Sequence, residues 1–175
     1  MAHSTARVAN EPLGALRDAT VIALRALISI VLLPGLVAVL IPWRILQGAA
    51  VSPLAWLGAI AIALGLGLFG WCVVLFARRG RGTLAPWDAP RRFVASGPYR
   101  VIRNPMYVAV AAVVAGEALA FASLPLAVYL LALAVAWHIF VVLYEEPSLE
   151  QTFGDGYRAY RSRVPRWLPR LPARS

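Results

Sequence analysis

A chain of 175 residues that is 61% hydrophobic and only 14% charged has too few charges for an ordinary soluble domain, which carries about 25%, and too much apolar content for a disordered one. Its net charge of +9 comes from 17 basic residues, all of them arginine, against 8 acidic ones. The arginines flank apolar runs, so membrane topology explains them better than a nucleic-acid face does, and a single cysteine, Cys72, excludes an internal disulfide or a cysteine zinc cluster.

The sequence predicts one all-α polytopic membrane domain over residues 1–175, a bundle of four spans at about 20–43, 53–77, 105–122 and 125–145 with a tail over 147–175, because a bilayer core takes about 20 apolar residues as a helix. The first charge-free run, Ala26 to Trp43, extends toward Thr20 if Arg25 snorkels. It is too long for the apolar core of a signal peptide, and no small-residue cleavage pattern follows. The second run, Ile45 to Ala77, opens at Ser52-Pro53. Gly65, Gly67 and Gly70 within it spell G-x-G-x-x-G, but no strand precedes them, so dinucleotide binding is rejected. Ala55, Ala59, Ala63 and Gly67 recur every four residues and predict a face for close helix contact.

The third span opens at Asn104-Pro105, a helix cap followed by proline in the first turn. Glu117 lies twelve residues further on, about 18 Å along the helix, and reads as a structural or interfacial carboxylate near the far side. Ser123 and Pro125 separate a fourth span that ends near Tyr144. The segment Arg78 to Arg103 holds seven Arg and one Asp, and the tail after Glu146 holds six Arg against Glu150 and Asp155. The positive-inside rule therefore places both termini and this central loop in the cytoplasm of a cell membrane.

Two blocks meet at that side. The first is Gly97-Pro98-Tyr99-Arg100-Val101-Ile102-Arg103-Asn104-Pro105-Met106-Tyr107. Arginines before a helix start suit a carboxylate or phosphate, and equally suit lipid headgroups. The second is Glu145-Glu146-Pro147-Ser148-Leu149, running through Phe153-Gly154, Tyr157 and Tyr160 to Val164-Pro165-Arg166-Trp167. Paired carboxylates at a helix C-terminus oppose its dipole and call for a reason. His138 precedes Glu145 by two turns on one helical face, so the two can line one pocket. The carboxylates can equally pair with arginines of the loop or tail. Trp87, in the loop Gly82 to Asp88, and Trp167 are interfacial belt residues or part of an entrance. Arg161, Arg163, Arg166 and Arg170 are expected at anionic headgroups, with one of them also able to reach a cofactor.

With these blocks in view, the chain resembles the isoprenylcysteine carboxyl methyltransferase family, taken broadly to include bacterial relatives and related phospholipid methyltransferases. The likeness covers Gly82 to Arg170 and rests on G-P-Y-R-x-x-R-N-P-M-Y followed by E-E-x-x-L-x-x-x-F-G-x-x-Y-x-x-Y. It implies a membrane enzyme that binds S-adenosylmethionine, releases S-adenosylhomocysteine and methylates a lipophilic or prenylated acceptor arriving from the bilayer. The implied cofactor contacts are Tyr99, Arg100, Arg103, Asn104, Pro105, Tyr107, His138, Glu145, Glu146, Tyr157 and Tyr160, with Arg103, Glu145 and Glu146 catalytic and no metal. The family often has His where this chain has Asn104, which cannot titrate, and Gly where it has Ala109.

Methyl transfer from a sulfonium demands mainly alignment and water exclusion. A carboxylate acceptor, as in isoprenylcysteine O-methylation, needs no base, and this is the expected reaction. A phospholipid amine must lose a proton, which Glu145 or His138 could take. An NADPH-dependent reductase of the sterol type and a non-enzymatic scaffold or transporter are the competing classes. No nucleic-acid partner is expected, and the sequence leaves the oligomeric state open.

Overall fold

The computed structural model describes residues 33–79 and 95–169, and all regular structure among them is helical. The expected start of the first span at 20–32, the loop Gly82 to Asp88 with Trp87, and Arg170 lie outside the described residues. In chain order the elements are α1 (Leu33–Ile45), α2 (Ala55–Arg79), a 3₁₀ turn (Gly97–Arg100), α3 (Pro105–Ala120), α4 (Leu124–Phe153) and α5 (Asp155–Arg163). Helices α2 and α4 are long and apolar enough to cross a membrane, while α1 and α3 are shorter apolar helices. Large apolar side chains stay on the outside, Leu64 at 69% and Leu143 at 72% exposure, as lipid rather than water would permit.

Two helices carry a proline in mid-course, and each solves the problem in the same way. A proline has no N–H and its ring strikes the carbonyl four residues back. Pro42 follows a π-turn at Leu36–Leu40, and Pro147 follows one at Val141–Glu145. The wider turn makes room for the ring. In the first case the Tyr129 hydroxyl donates to the Val37 carbonyl at 3.0 Å, the acceptor that Pro42 cannot serve. In the second, the helix continues to Phe153, past the expected end of the fourth span at 145 and the start of the tail at 147, so the carboxylate pair lies inside a continuous helix. Gly154, at φ +54° and ψ −128°, then turns the chain into α5 in a region open to glycine alone.

Helices α2 and α3 pack backbone to backbone. A Cβ on Gly58 would lie 2.4 Å from the Gly116 carbonyl, and one on Gly65 would lie 2.7 Å from that of Ala109. Gly58, Gly65 and the buried Cys72 repeat every seven residues along α2. The predicted contact face of Ala55, Ala59, Ala63 and Gly67 does not form this seam: Ala59, Ala63 and Gly67 are exposed among the described residues, and nothing lies within 4 Å of a Cβ on Gly67. A four-residue spacing drifts round a long helix, whereas the seven-residue one holds a single seam. At the far end Ser52 binds the C-terminus of α3, its N–H to the Ala120 carbonyl at 2.8 Å and its hydroxyl to that of Leu119 at 2.9 Å.

Gly65→Val is expected to cost about 1–3 kcal/mol through overpacking, whereas Gly67→Val stays within about 0.5 kcal/mol; thermal unfolding of detergent-purified protein distinguishes the two.

Candidate functional site

Three segments converge beyond the start of α3. Tyr99 in the 3₁₀ turn is buried against Cys72 of α2, which fixes the approach of the chain to Arg103. Asn104 stands at the N-cap of α3, but its side chain makes no capping bond; the expectation of a side-chain cap is corrected, because Nδ2 donates to the Arg166 carbonyl at 3.3 Å. Residues 164–167 run past this point as a strap. The Arg103 N–H donates to the Pro165 carbonyl at 2.8 Å, and Val164 is buried with Tyr157 and Tyr160 of α5. The Tyr160 hydroxyl donates to the Tyr99 carbonyl at 2.7 Å.

Glu146, 6% exposed, is the centre. Arg103 Nη1 donates to its Oε1 at 2.8 Å, and Arg166 binds it bidentately, Nε to Oε1 at 2.6 Å and Nη2 to Oε2 at 2.9 Å. A carboxylate so buried needs this double pairing, since desolvation outweighs a single imperfect contact. Arg166, expected from sequence at the headgroups, instead turns inward, and its hydrogen bond to Glu146 raises its pKa further. Arg103 also hydrogen-bonds Tyr157, while its Nε is buried without a partner among the described residues. Burial raises the pKa values of the Tyr157 and Tyr160 phenols, so both stay protonated at neutral pH.

Glu145 faces the other way. Its Oε2 accepts from the Tyr107 hydroxyl at 2.9 Å. The Tyr107 ring lies 5.4 Å from Trp137 and 6.1 Å, edge-on, from Trp167. Trp167 Nε1 donates to His138 Nδ1 at 3.1 Å. His138 and Glu145 therefore reach one aromatic cluster from its two sides, through Trp167 and Tyr107 respectively.

The structure thus brings together Tyr99, Arg103, Asn104, Tyr107, His138, Glu145, Glu146, Tyr157 and Tyr160, with Pro105 buried at the helix start. Arg100 points outward and is exposed. Sequence reasoning missed Trp137, whereas its alternative pairing of the carboxylates with arginines of the loop or tail is what Arg103 and Arg166 do at Glu146. Arg161 binds Glu150 at 2.8 Å, and Arg163 Nε donates to the Ala159 carbonyl. Glu117 lies partly buried near the other end of α3, its Oε2 without a partner among the described residues. Beside Glu146 opens a cleft of about 580 Å³ bounded by Glu150, Gln151, Arg158, Arg161 and Arg166.

Apolar helices closed at one end by a buried ion-pair site define a membrane-associated helical protein with a polar pocket at the helix ends. The family model for phospholipid methyltransferases matches residues 43–156, and the chain belongs to that family, part of the isoprenylcysteine carboxyl methyltransferase-like group. It is accordingly a membrane methyltransferase in general kind. No curated protein matches the chain.

Arg166→Met leaves Glu146 on Arg103 alone and is expected to cost about 1.5–3 kcal/mol, the loss of hydrogen bonds to a charged group whose other partner remains. Tyr160→Phe, which removes one buried hydrogen bond, is expected to cost about 1 kcal/mol. Thermal unfolding of the two variants measures both.

Proposed function

We propose that the protein transfers a methyl group from S-adenosylmethionine to the amine headgroup of a membrane lipid, at the cytoplasmic face of a multi-pass protein in the cell membrane. The observation that carries the acceptor class is Glu145, hydrogen-bonded to Tyr107 beside the rings of Trp137 and Trp167. A carboxylate flanked by aromatic faces attracts a cation and repels an anion. A carboxylate acceptor, such as isoprenylcysteine, would need a cationic group to place it, and among the described residues the groups that act on Glu145 are Tyr107 and Glu146, with no arginine. The amine reading therefore replaces carboxyl O-methylation as the preferred one, and it agrees with the family the chain belongs to.

The residues fit the methyl donor. Its amino-acid end carries both charges, and the cleft offers Glu146 and Glu150 with Arg158, Arg161 and Arg166. The unpartnered Nε of Arg103 is one further buried donor. Glu150 and Glu146 would hold the ammonium or ribose hydroxyls, and Arg103 with the opening of α3 the carboxylate. When bound, the donor supplies an electrophilic methyl on a sulfonium. The protein aligns the amine with it and excludes water through the strap and the aromatic cluster.

With radiolabelled donor, the purified protein is expected to label phosphatidylethanolamine vesicles and not a prenylcysteine analogue. S-adenosylhomocysteine at a hundred times its dissociation constant is expected to stabilise the fold by about 2.7 kcal/mol, and NADPH is expected to have no effect. Labelling of the prenylcysteine analogue alone contradicts the acceptor assignment.

A further inference from the structure

The proposed function leaves His138 without a task, and an imidazole within an apolar helix calls for one. It stands on α4 seven residues before Glu145, about 10 Å further from the cytoplasmic end. The side chain is exposed. Val135, Ile139 and Leu143 on the outside of α4 are exposed as well, so His138 borders the surface that lipid covers. Its Nδ1 accepts the Trp167 indole N–H. Hydrocarbon offers an indole N–H no water, so this bond meets a need that a leucine at position 167 would not have.

The indole fills a place that the helices leave open. Helix α3 packs backbone to backbone on α2 and much less closely on α4. The rings of Tyr107 from α3, Trp137 from α4 and Trp167 from the strap meet in that gap. Trp137 is packed against the core, whereas Trp167 is tied to the exposed His138. The same pair adjoins the cleft. Arg166 and Val142 are among the walls of the cleft; Arg166 immediately precedes Trp167, and Val142 follows His138 by about one helical turn. Trp167 and His138 therefore stand between the cleft that suits the donor and the bilayer that supplies the acceptor.

Resting on the reading of a lipid acceptor, we propose that Trp167 positions that lipid: its acyl chains lie against the indole and along the outer face of α4, and His138 fixes the ring by accepting its N–H. The body of the indole is apolar and its polar tip is already bonded, so what it offers the bilayer is an apolar face. Held at this level, the lipid presents its headgroup to the site from the membrane side, while the donor occupies the cleft from the cytoplasmic side. Phenylalanine at position 167 would keep a ring on Tyr107 but lose the tie to His138, and alanine would lose both.

The test uses the full chain in mixed micelles with phosphatidylethanolamine, reading kcat and KM together with S-adenosylhomocysteine affinity by calorimetry. Trp167→Ala should raise KM for the lipid about tenfold with kcat little changed, as loss of binding common to ground and transition states does, while S-adenosylhomocysteine affinity stays within about threefold of wild type. His138→Leu, which strands the indole N–H, should raise KM in the same direction, and His138→Gln, whose amide oxygen can accept that N–H, should recover most of the loss. A second measurement reads contact directly: phosphatidylethanolamine brominated on its acyl chains should quench tryptophan fluorescence more than equally brominated phosphatidylglycerol, and the difference should vanish in Trp167→Phe. Should Trp167→Ala fail to fold, the two His138 variants and the quenching decide. A KM unchanged in Trp167→Ala overturns the inference, as does a loss of S-adenosylhomocysteine affinity that matches the rise in KM, or equal quenching by the two lipids. A wild type that methylates no lipid overturns the parent reading and this inference with it, whereas phosphatidylethanolamine methylated equally well by wild type and Trp167→Ala overturns the inference alone.

Discussion

One buried carboxylate shared between two guanidinium groups holds the functional end of this protein together. Glu146 sits inside α4, Arg103 just before α3, and Arg166 on the strap after α5. A charge at this depth is costly unless paired, so the three segments are compelled to meet, and the bonds of the Arg103 N–H to the Pro165 carbonyl and of the Asn104 side chain to the Arg166 carbonyl follow from that meeting. The position of Glu145 follows too, because its neighbour is fixed.

The π-turn before Pro147 supports the same arrangement. A helix that stopped at the proline would free the carboxylate pair into a tail, whereas the wide turn carries α4 on to Phe153 and keeps Glu145 and Glu146 on a rigid element. Pro42 and its π-turn in α1 serve packing instead, with Tyr129 closing the gap. The same local device is structural at one end and serves the site at the other.

Much of this was legible in the residues. Length without charge located the apolar helices, and Asn104-Pro105 located the start of α3, since those signals depend only on local chemistry. The two motif blocks named most of the site because their order along the chain survives folding. What escaped was set by distant partners. Whether Arg166 meets lipid or Glu146, whether Asn104 caps its own helix or holds the strap, and whether α2 packs through Gly58 and Gly65 or through its alanines are decided by a neighbouring segment. The π-turn escaped for a different reason: proline announces a disruption, but the surrounding packing decides how the helix absorbs it.

The central claim is that Arg103 and Glu146 form one unit that receives the methyl donor. A double-mutant cycle on S-adenosylhomocysteine affinity, with Arg103→Met, Glu146→Gln and the pair, measures it directly. The account predicts that each single change weakens binding at least tenfold and that the double variant is scarcely worse than either, a coupling of about 1 kcal/mol or more. Affinity equal to wild type in all three variants would contradict it.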